Sequence, residues 1–154
     1  MIFRLINAFG IGLALVLLPD FIFFIGLKLH YFEYYKITEY FNVYFFDHQI
    51  FWLLGFVALS FGYLMLYTPF RKVVEVLYLF VLALSFLTLY APVGQRAGEA
   101  LFMKKDQRFR LGNTSFTGDM LYEGRKIVYI NRQGIEPTVK LLKEEVMLLG
   151  PAIH

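Results

Sequence analysis

The fold is decided by IFWLLGFVALSFGYLMLY (residues 50–67) and VVEVLYLFVLALSFLTLY (residues 73–90), two apolar runs joined by the turn TPFRK (residues 68–72). A helix needs about 20 residues, within a range of about 17–25, to cross the hydrocarbon core of a bilayer. The first run has no charged residue, and the second has only Glu75 near its start. Pro69 is typical of a position just outside a helix end. We therefore expect two transmembrane helices that form an antiparallel hairpin, with Arg71 paired to Glu75 four residues later.

A third apolar run, residues 5–27, precedes this hairpin and is interrupted by Pro19-Asp20. It has two interpretations. The run forms one spanning helix with a kink at Pro19, or a shorter span ends near Leu18 and residues 21–32 lie at the interface. We favour one span because residues 21–27 are too apolar to leave lipid readily. We also expect the run to be retained, since no small-x-small cleavage site follows it as in a signal peptide.

The composition supports a membrane protein. Of 154 residues, 58% are hydrophobic and 18% charged, and the mean hydropathy is +0.57. A soluble domain is about 45–50% apolar and about 25% charged. The chain has no cysteine, which excludes a disulfide scaffold and a cysteine-based zinc finger. The predicted fold class is a mainly α integral membrane protein with three transmembrane helices and a small C-terminal α+β extramembrane domain.

The composition changes at Pro92, which predicts a membrane domain over residues 1–91 and a small α+β domain over residues 92–154. The second part carries ten Lys and Arg against seven Asp and Glu. Its sequence predicts a helix and then three strands, with turn residues between them. The predicted helix covers 95–105, the strands cover 107–111, 120–123 and 126–130, and the turns cover 112–115 and 131–134.

The end of the chain predicts a terminal helix that begins at Pro137 and ends before Gly150-Pro151. Its apolar positions recur at helical spacing. They are Val139, Leu142, Val146 and Leu149.

The segment 28–49 between the first two runs mixes nine Phe and Tyr residues with charged residues. Amphipathic rings favour the headgroup layer of a membrane. We therefore expect an interfacial helix or a membrane-hugging loop. The segment is either a plain aromatic belt or a docking surface for lipid or for the helices of a partner.

Asp20 is the most unusual residue of the membrane half. On a helix over 5–27 it lies four residues past the middle, about 6 Å from the midplane. A carboxyl group there costs about 2.5–3.5 kcal/mol on insertion scales, and such groups face protein or water. Asp20 is therefore a candidate proton or cation site beside the helix break at Pro19. The structural alternatives are a protonated carboxyl bonded to a neighbouring helix, or a helix break near the interface.

Small residues predict where helices pack, because they let two backbones approach closely. Stripes of them occur on the first and second apolar runs. The candidate packing residues are Gly10, Gly12, Gly55, Ala58 and Gly62. They pack within this chain or against other membrane subunits.

Basic residues follow the third apolar run closely. They are candidates for contact with anionic lipid headgroups or with a partner. A role in fixing the orientation of the chain in the membrane explains them equally well. Nucleic-acid binding is not expected, since acidic residues are interspersed and no recognition motif occurs. The cluster is Arg96, Lys104, Lys105, Arg108 and Arg110.

His30 and His48 lie at the two ends of the first loop, where two imidazoles could ligate a haem iron. No attachment motif accompanies them. We find no phosphate loop, zinc-protease motif or nucleophile elbow, so the sequence predicts no catalytic residue, no metal site and no cofactor.

The orientation follows from the count of positive charges near helix ends. Seven basic residues lie on the side of the aromatic segment and the tail, against three on the side of Arg4 and the 71–72 turn. This favours a cytoplasmic C-terminal domain. The short turn and Arg4 favour the opposite orientation, so the balance is slight.

These observations favour a non-enzymatic accessory, anchoring or scaffold subunit of a larger complex in a bacterial inner membrane. Its partners would be the bilayer and other membrane subunits, or further copies of the chain. One alternative is a small homo-oligomeric ion, proton or solute transporter that uses Asp20. Another is a haem-bearing electron-transfer subunit that uses His30 and His48.

The pattern Phe9-Gly10-Ile11-Gly12, a leucine-rich run and then Pro19-Asp20 resembles the small four-helix membrane proteins of the DoxX-like kind. The hairpin over residues 51–72 adds to this resemblance. The likeness covers the membrane half only and lacks the fourth helix, so it implies no function here.

Overall fold

A computed structural model describes residues 1–132 and 135–151, with helices in the first two thirds and a five-stranded antiparallel sheet after them. The helices are α1 (Ile2–Leu27), a π-helical turn that continues it (Lys28–Phe32), α2 (Phe41–Asp47), α3 (Phe51–Tyr67), α4 (Arg71–Leu87) and α5 (Ala91–Phe102). The strands are β1 (Lys104–Leu111), β2 (Thr114–Glu123), β3 (Ile127–Arg132), β4 (Ile135–Leu142) and β5 (Val146–Pro151).

The first helix is one continuous element. Together with its π-helical turn it covers Ile2–Phe32, 31 residues in all, which is about 46 Å at 1.5 Å per residue. Pro19 lies inside it and is buried. The helix does not end near Leu18, so the favoured interpretation of a single helix is correct.

Helices α3 and α4 have 17 residues each, about 26 Å, against a hydrocarbon core of about 30 Å. By length and composition, α1 with its π turn is the one helix among the described residues that can cross a membrane by itself. The chain has up to three spans if each bent pair is counted as one. The bends are 79° between α2 and α3 and 96° between α4 and α5. Of the three predicted spans, the structure thus supports only the first as a helix that can cross a membrane by itself.

Helices α1 and α3 cross in direct backbone contact. A Cβ atom added at Gly12 would lie 1.8 Å from the carbonyl oxygen of Ala58, and one added at Gly62 would lie 1.9 Å from that of Ala8. Only glycine fits at these two positions. Since Ala8 meets Gly62 and Gly12 meets Ala58, the two helices run antiparallel.

The sheet has the strand order β4-β3-β2-β1-β5, and its neighbouring strands are antiparallel. Five strands about 4.8 Å apart would place the edges of a flat sheet about 19 Å apart. The edge strands β4 and β5 are joined by the short link from Leu142 to Val146, which spans at most about 14 Å. The sheet must therefore curl.

The curled sheet encloses a small apolar cluster to which every strand contributes. Phe109 is 1% exposed and Ile130 is fully buried. Burial of such side chains stabilises the fold by about 1.5–3 kcal/mol each. The cluster consists of Phe109, Met120, Val128 and Ile130, with Phe116, Leu141 and Val146 packed against it.

Part of the predicted C-terminal secondary structure is confirmed. The strands expected over 107–111 and 120–123 lie in β1 and β2, and the strand expected over 126–130 matches β3 from Ile127 onward. The helix expected over 95–105 is α5, which begins and ends earlier. Pro92 fits the first turn of that helix, and Lys104 already pairs with Met120 in the sheet.

The predicted terminal helix is wrong, because residues 135–142 and 146–151 form β4 and β5. Val139 pairs with Ile130, and Val146 pairs with Leu111. These apolar residues fit a strand as well as a helix, and pairing with β3 and β1 decides between the two. The turn expected over 131–134 lies partly outside the described residues, and β3 continues through Arg132.

Replacing Gly12 by Leu tests the crossing of α1 and α3. We expect a loss of at least about 1–3 kcal/mol in the free energy of unfolding, since the side chain must displace the backbone of α3. The matched control is Gly10→Leu, because an added Cβ at Gly10 meets nothing within 4 Å. Reversible unfolding of the full chain in detergent micelles measures both variants. Equal destabilisation by the two variants would contradict the predicted contact.

Candidate functional site

The aromatic segment 28–49 packs between α1 and the sheet. Four of its aromatic residues, Tyr31, Phe32, Tyr44 and Phe45, are buried, whereas Tyr34 and Tyr40 are exposed. They belong to a cluster that we call the aromatic joint. It is formed by Phe24, Leu27, Tyr31, Phe32, Ile37, Tyr44, Phe45, Phe102, Leu121, Tyr122 and Tyr129. Much of the segment is therefore turned toward this chain's own helices and strands.

Ring contacts hold the joint together. The rings of Phe32 and Tyr44 stack with their centroids 4.3 Å apart. Phe32 also meets Phe102 of α5 at 5.4 Å and Tyr122 of β2 at 5.1 Å. Aromatic pairs in such geometries contribute about 0.5–1.5 kcal/mol beyond the area they bury. One ring thus connects the end of α1 with α2, α5 and the sheet.

Hydrogen bonds also tie the segment to the sheet. The hydroxyl of Tyr31 donates to the carbonyl oxygen of Leu121 at 2.7 Å, where the register of β2 with β3 shifts between Met120 and Tyr122. The hydroxyl of Thr138 in β4 donates to the carbonyl oxygen of Tyr35 at 2.7 Å. The segment therefore bonds to two strands of the sheet, β2 and β4.

An exposed ion pair also joins the aromatic segment to the loop after β2. Both Arg125 Nε and Arg125 Nη2 donate to the carboxylate of Asp47 at the end of α2. This bidentate geometry is the strong form of an arginine–carboxylate pair. Its hydrogen bond and positive charge lower the pKa of the Asp47 carboxyl group.

Two glycines bring α5 against the end of α1, and the sequence analysis missed both. A Cβ atom added at Gly98 would lie 2.2 Å from Cγ of Tyr31, and one at Gly94 would lie 3.0 Å from the carbonyl oxygen of Gly26. The spacing Gly94-xxx-Gly98 is a small-residue packing signal like the stripes on the first two apolar runs. The phenol of Tyr35 donates to Glu99 of α5 at 2.8 Å. Burial raises the pKa of Tyr35 to about 12, and the hydrogen bond to the Glu99 carboxylate is the second cause of this increase.

Asp20 lies in a groove between α1, α3 and α4. The groove has a volume of about 590 Å³, within the range of about 300–1,000 Å³ for small-molecule pockets. Asp20, His48 and Gln49 form its polar end, and Gln49 Nε2 donates to Asp20 Oδ2. Leu53 and Val81 are among the apolar residues of its walls. The carboxyl group of Asp20 is half-buried and bonded to the corner between α2 and α3.

The predicted packing residues divide into two groups. Gly12, Ala58 and Gly62 form the crossing of α1 and α3 inside the chain. Gly10 has no neighbour within 4 Å of an added Cβ, and Gly55 has only Cε2 of Phe9 at 4.0 Å. Gly10 and Gly55 therefore leave room for a side chain or for a partner.

The predicted basic cluster lies on two elements. Arg96 is exposed on α5, and the other four residues are exposed on β1. Arg108 and Arg110 flank the buried Phe109, so they lie on the face opposite to it. Arg110 Nε donates to the carbonyl oxygen of Gly112 at 3.1 Å.

Each of the two histidines contacts a backbone carbonyl. His30 Nε2 lies 2.7 Å from the carbonyl oxygen of Leu89, and His48 Nδ1 lies 2.8 Å from that of Tyr44. The part of the chain that the structure describes has no group of three or more His, Cys, Asp or Glu residues placed to hold a metal ion. The predicted pair of Arg71 and Glu75 is confirmed at 2.6 Å, and such an exposed pair contributes little to stability.

Comparisons of this chain with protein-family models, with curated proteins and with solved structures find no match. The resemblance of the membrane half to DoxX-like proteins stays a likeness of residue pattern. Function is therefore inferred from the residues themselves.

Replacing Tyr31 by Phe tests the hydrogen bond at the centre of the joint. We expect a loss of about 1–3 kcal/mol in the free energy of unfolding, because the buried carbonyl of Leu121 loses this donor. The control is Tyr34→Phe, since Tyr34 is 63% exposed. Chemical unfolding of both variants in micelles gives the comparison. If Tyr31→Phe is as stable as the control, the bond does not hold the joint.

The pair of Asp47 and Arg125 makes stability depend on pH. The pKa of Asp47 is lowered in the folded chain, so its contribution is present above the unfolded value of about 3.9 and disappears as pH falls through the folded value. Asp47→Asn should therefore lower the melting temperature near neutral pH but have no effect well below pH of about 3. Arg125→Gln should give the same profile. A difference from wild type that is independent of pH would refute this assignment.

Proposed function

We propose that this chain is a non-enzymatic anchoring or scaffold subunit of a larger membrane complex. In this proposal its helices pack on partner subunits and its C-terminal domain docks a partner. The observation that carries the proposal is the aromatic joint, because it fixes the sheet to the apolar helices instead of leaving it on a flexible linker.

The joint gives the sheet a defined position. Residues far apart in sequence meet there, and Tyr31 of the π turn bonds to Leu121 in β2. Both faces of β3 are covered near its middle, since Tyr129 belongs to the joint and Val128 and Ile130 belong to the sheet's inner cluster. A rigidly mounted domain can present one surface to a partner at a set distance from the membrane.

The layout of the helices supports a three-span arrangement. Helices α1 and α3 run antiparallel, and α4 returns along α1 until Thr88 contacts Gly26. The aromatic segment and the sheet lie at the same end of these helices, as the two crossings between them, α3 and α4, require. The excess of basic residues at that end favours the cytoplasmic side of a bacterial inner membrane.

The outer faces of α3 and α4 offer contact area to lipid or to other subunits. Large apolar side chains are more than half exposed there, which is far more than a soluble monomer tolerates in one patch. Aromatic residues are also enriched at protein interfaces. They include Trp52, Phe56, Val76, Leu79 and Phe80.

A second candidate function is a small transporter that works as a homo-oligomer. The half-buried carboxyl group of Asp20 in an open groove favours it. Three helices do not easily enclose a path, so several copies would be needed. The haem alternative rests on His30 and His48 alone, each of which has one ring nitrogen in contact with a carbonyl oxygen.

Replacing Gly55 by Ile tests the accessory role. Since an added Cβ at Gly55 would meet only Phe9 at 4.0 Å, the variant should fold normally yet hinder a partner helix. We expect wild type, extracted in a mild detergent, to give a complex with other membrane proteins at fixed ratio in native mass spectrometry. Gly55→Ile should reduce this complex about tenfold, the effect of about 1.4 kcal/mol of overpacking.

The control for this experiment is Val76→Ile on α4, which only enlarges an exposed apolar side chain. An intact complex with Gly55→Ile would remove the α3 face from the interface. A homo-oligomer without other subunits would overturn the accessory role and support the transporter. A lone monomer would contradict both functions.

A further inference from the structure

The groove beside Asp20 is amphiphilic along its length. Its polar end, formed by Asp20, His48 and Gln49, lies at the corner between α2 and α3. Away from this end the walls are mainly apolar, with Leu53 and Val57 of α3 on one side and Val81 of α4 on another. The polar side chains of Tyr78 and Ser85 also line the α4 wall. A molecule with one polar end and one chain matches this distribution.

The groove also has a defined direction along α1. Asp20 lies eight residues before Lys28 on the same helix, about 12 Å along its axis. The polar end of the groove is thus the end nearer to the aromatic segment and its charged residues. A headgroup bound at Asp20 would therefore lie nearer to the aromatic segment than its chain would.

The charge of the headgroup follows from the groups at this end. Asp20 supplies carboxylate oxygens, and Gln49 Nε2 donates to one of them. A carboxylate held in apolar surroundings is costly unless a cation or further donors reach it. A primary ammonium group supplies three donors and a positive charge, whereas an anionic head would face the carboxylate.

We propose that this groove binds a single-chain amphiphile that has a primary ammonium headgroup. The ammonium group pairs with the Asp20 carboxylate beside Gln49, and the chain lies against the apolar walls. This ligand site is independent of the accessory role and of the partner surface at Gly55. The groove volume of about 590 Å³ is sufficient for a ligand of this class.

Native mass spectrometry of the full chain tests the proposal with dodecylamine as the probe. Dodecanol and dodecanoate, which have the same chain and a neutral or anionic head, are the comparison probes. We expect saturable binding of one dodecylammonium per chain, at least tenfold tighter than either comparison probe. Asp20→Asn keeps the shape and an acceptor for Gln49 but removes the charge, so it should abolish this preference.

Two further variants complete the design. Val57→Trp fills the apolar part of the groove from α3 and should weaken binding of all three probes. Asp47→Asn removes a carboxylate at Arg125, outside the groove, and should bind dodecylammonium like wild type. Thermal unfolding of each variant shows that it is folded.

Three results would overturn the proposal. The first is equal binding of the three probes by wild type, which indicates simple partition into detergent. The second is unchanged dodecylammonium binding in folded Asp20→Asn. The third is a loss of binding in Asp47→Asn that equals the loss in Asp20→Asn.

Discussion

The backbone contact between α1 and α3 at Gly12 and Gly62 is the constraint on which the rest of the structure depends. With no Cβ between them, the two helices approach until a glycine of each meets a carbonyl of the other. Their antiparallel register then places the start of α3 beside the second half of α1. Gln49, just before α3, consequently reaches Asp20. The position of the groove is thus a consequence of small residues about two turns away from it.

The aromatic joint solves a second problem, which is how a small domain keeps a stable core. About 60 residues bury only about 60% of the surface that their unfolded chain exposes, so such a domain is marginal by itself. Here Leu121, Tyr122 and Tyr129 of the sheet are covered by Phe32 and Tyr44 of the aromatic segment. Side chains of the helical half thus cover the outer apolar residues of the sheet. This dependence explains why aromatic residues that suit a membrane interface are fully buried.

The sequence predicts the local features well. Runs of apolar residues place α3 and α4 within a few residues, and the i,i+4 spacing predicts the pair of Arg71 and Glu75. It does not predict contacts between distant positions, such as Tyr31 with Leu121, because no local pattern encodes them. Strand β4 shows the same limit. Its apolar residues have a helical spacing, but their pairing with β3 makes the segment a strand. For the groove, Asp20 was recognisable as an unusual residue, but its partner Gln49 was not.

The groove and the joint meet at one corner of the structure, between α2 and α3. His48 lines the polar end of the groove, and its ring lies 5.0 Å from that of Phe102 and 6.2 Å from that of Tyr122, both in the joint. The adjacent Gln49 bonds to Asp20, and the adjacent Asp47 bonds to Arg125 of the sheet domain. Three consecutive residues therefore contact the groove, the joint and the loop after β2. The corner between α2 and α3 thus places the groove directly beside the contacts that hold the sheet against the helices.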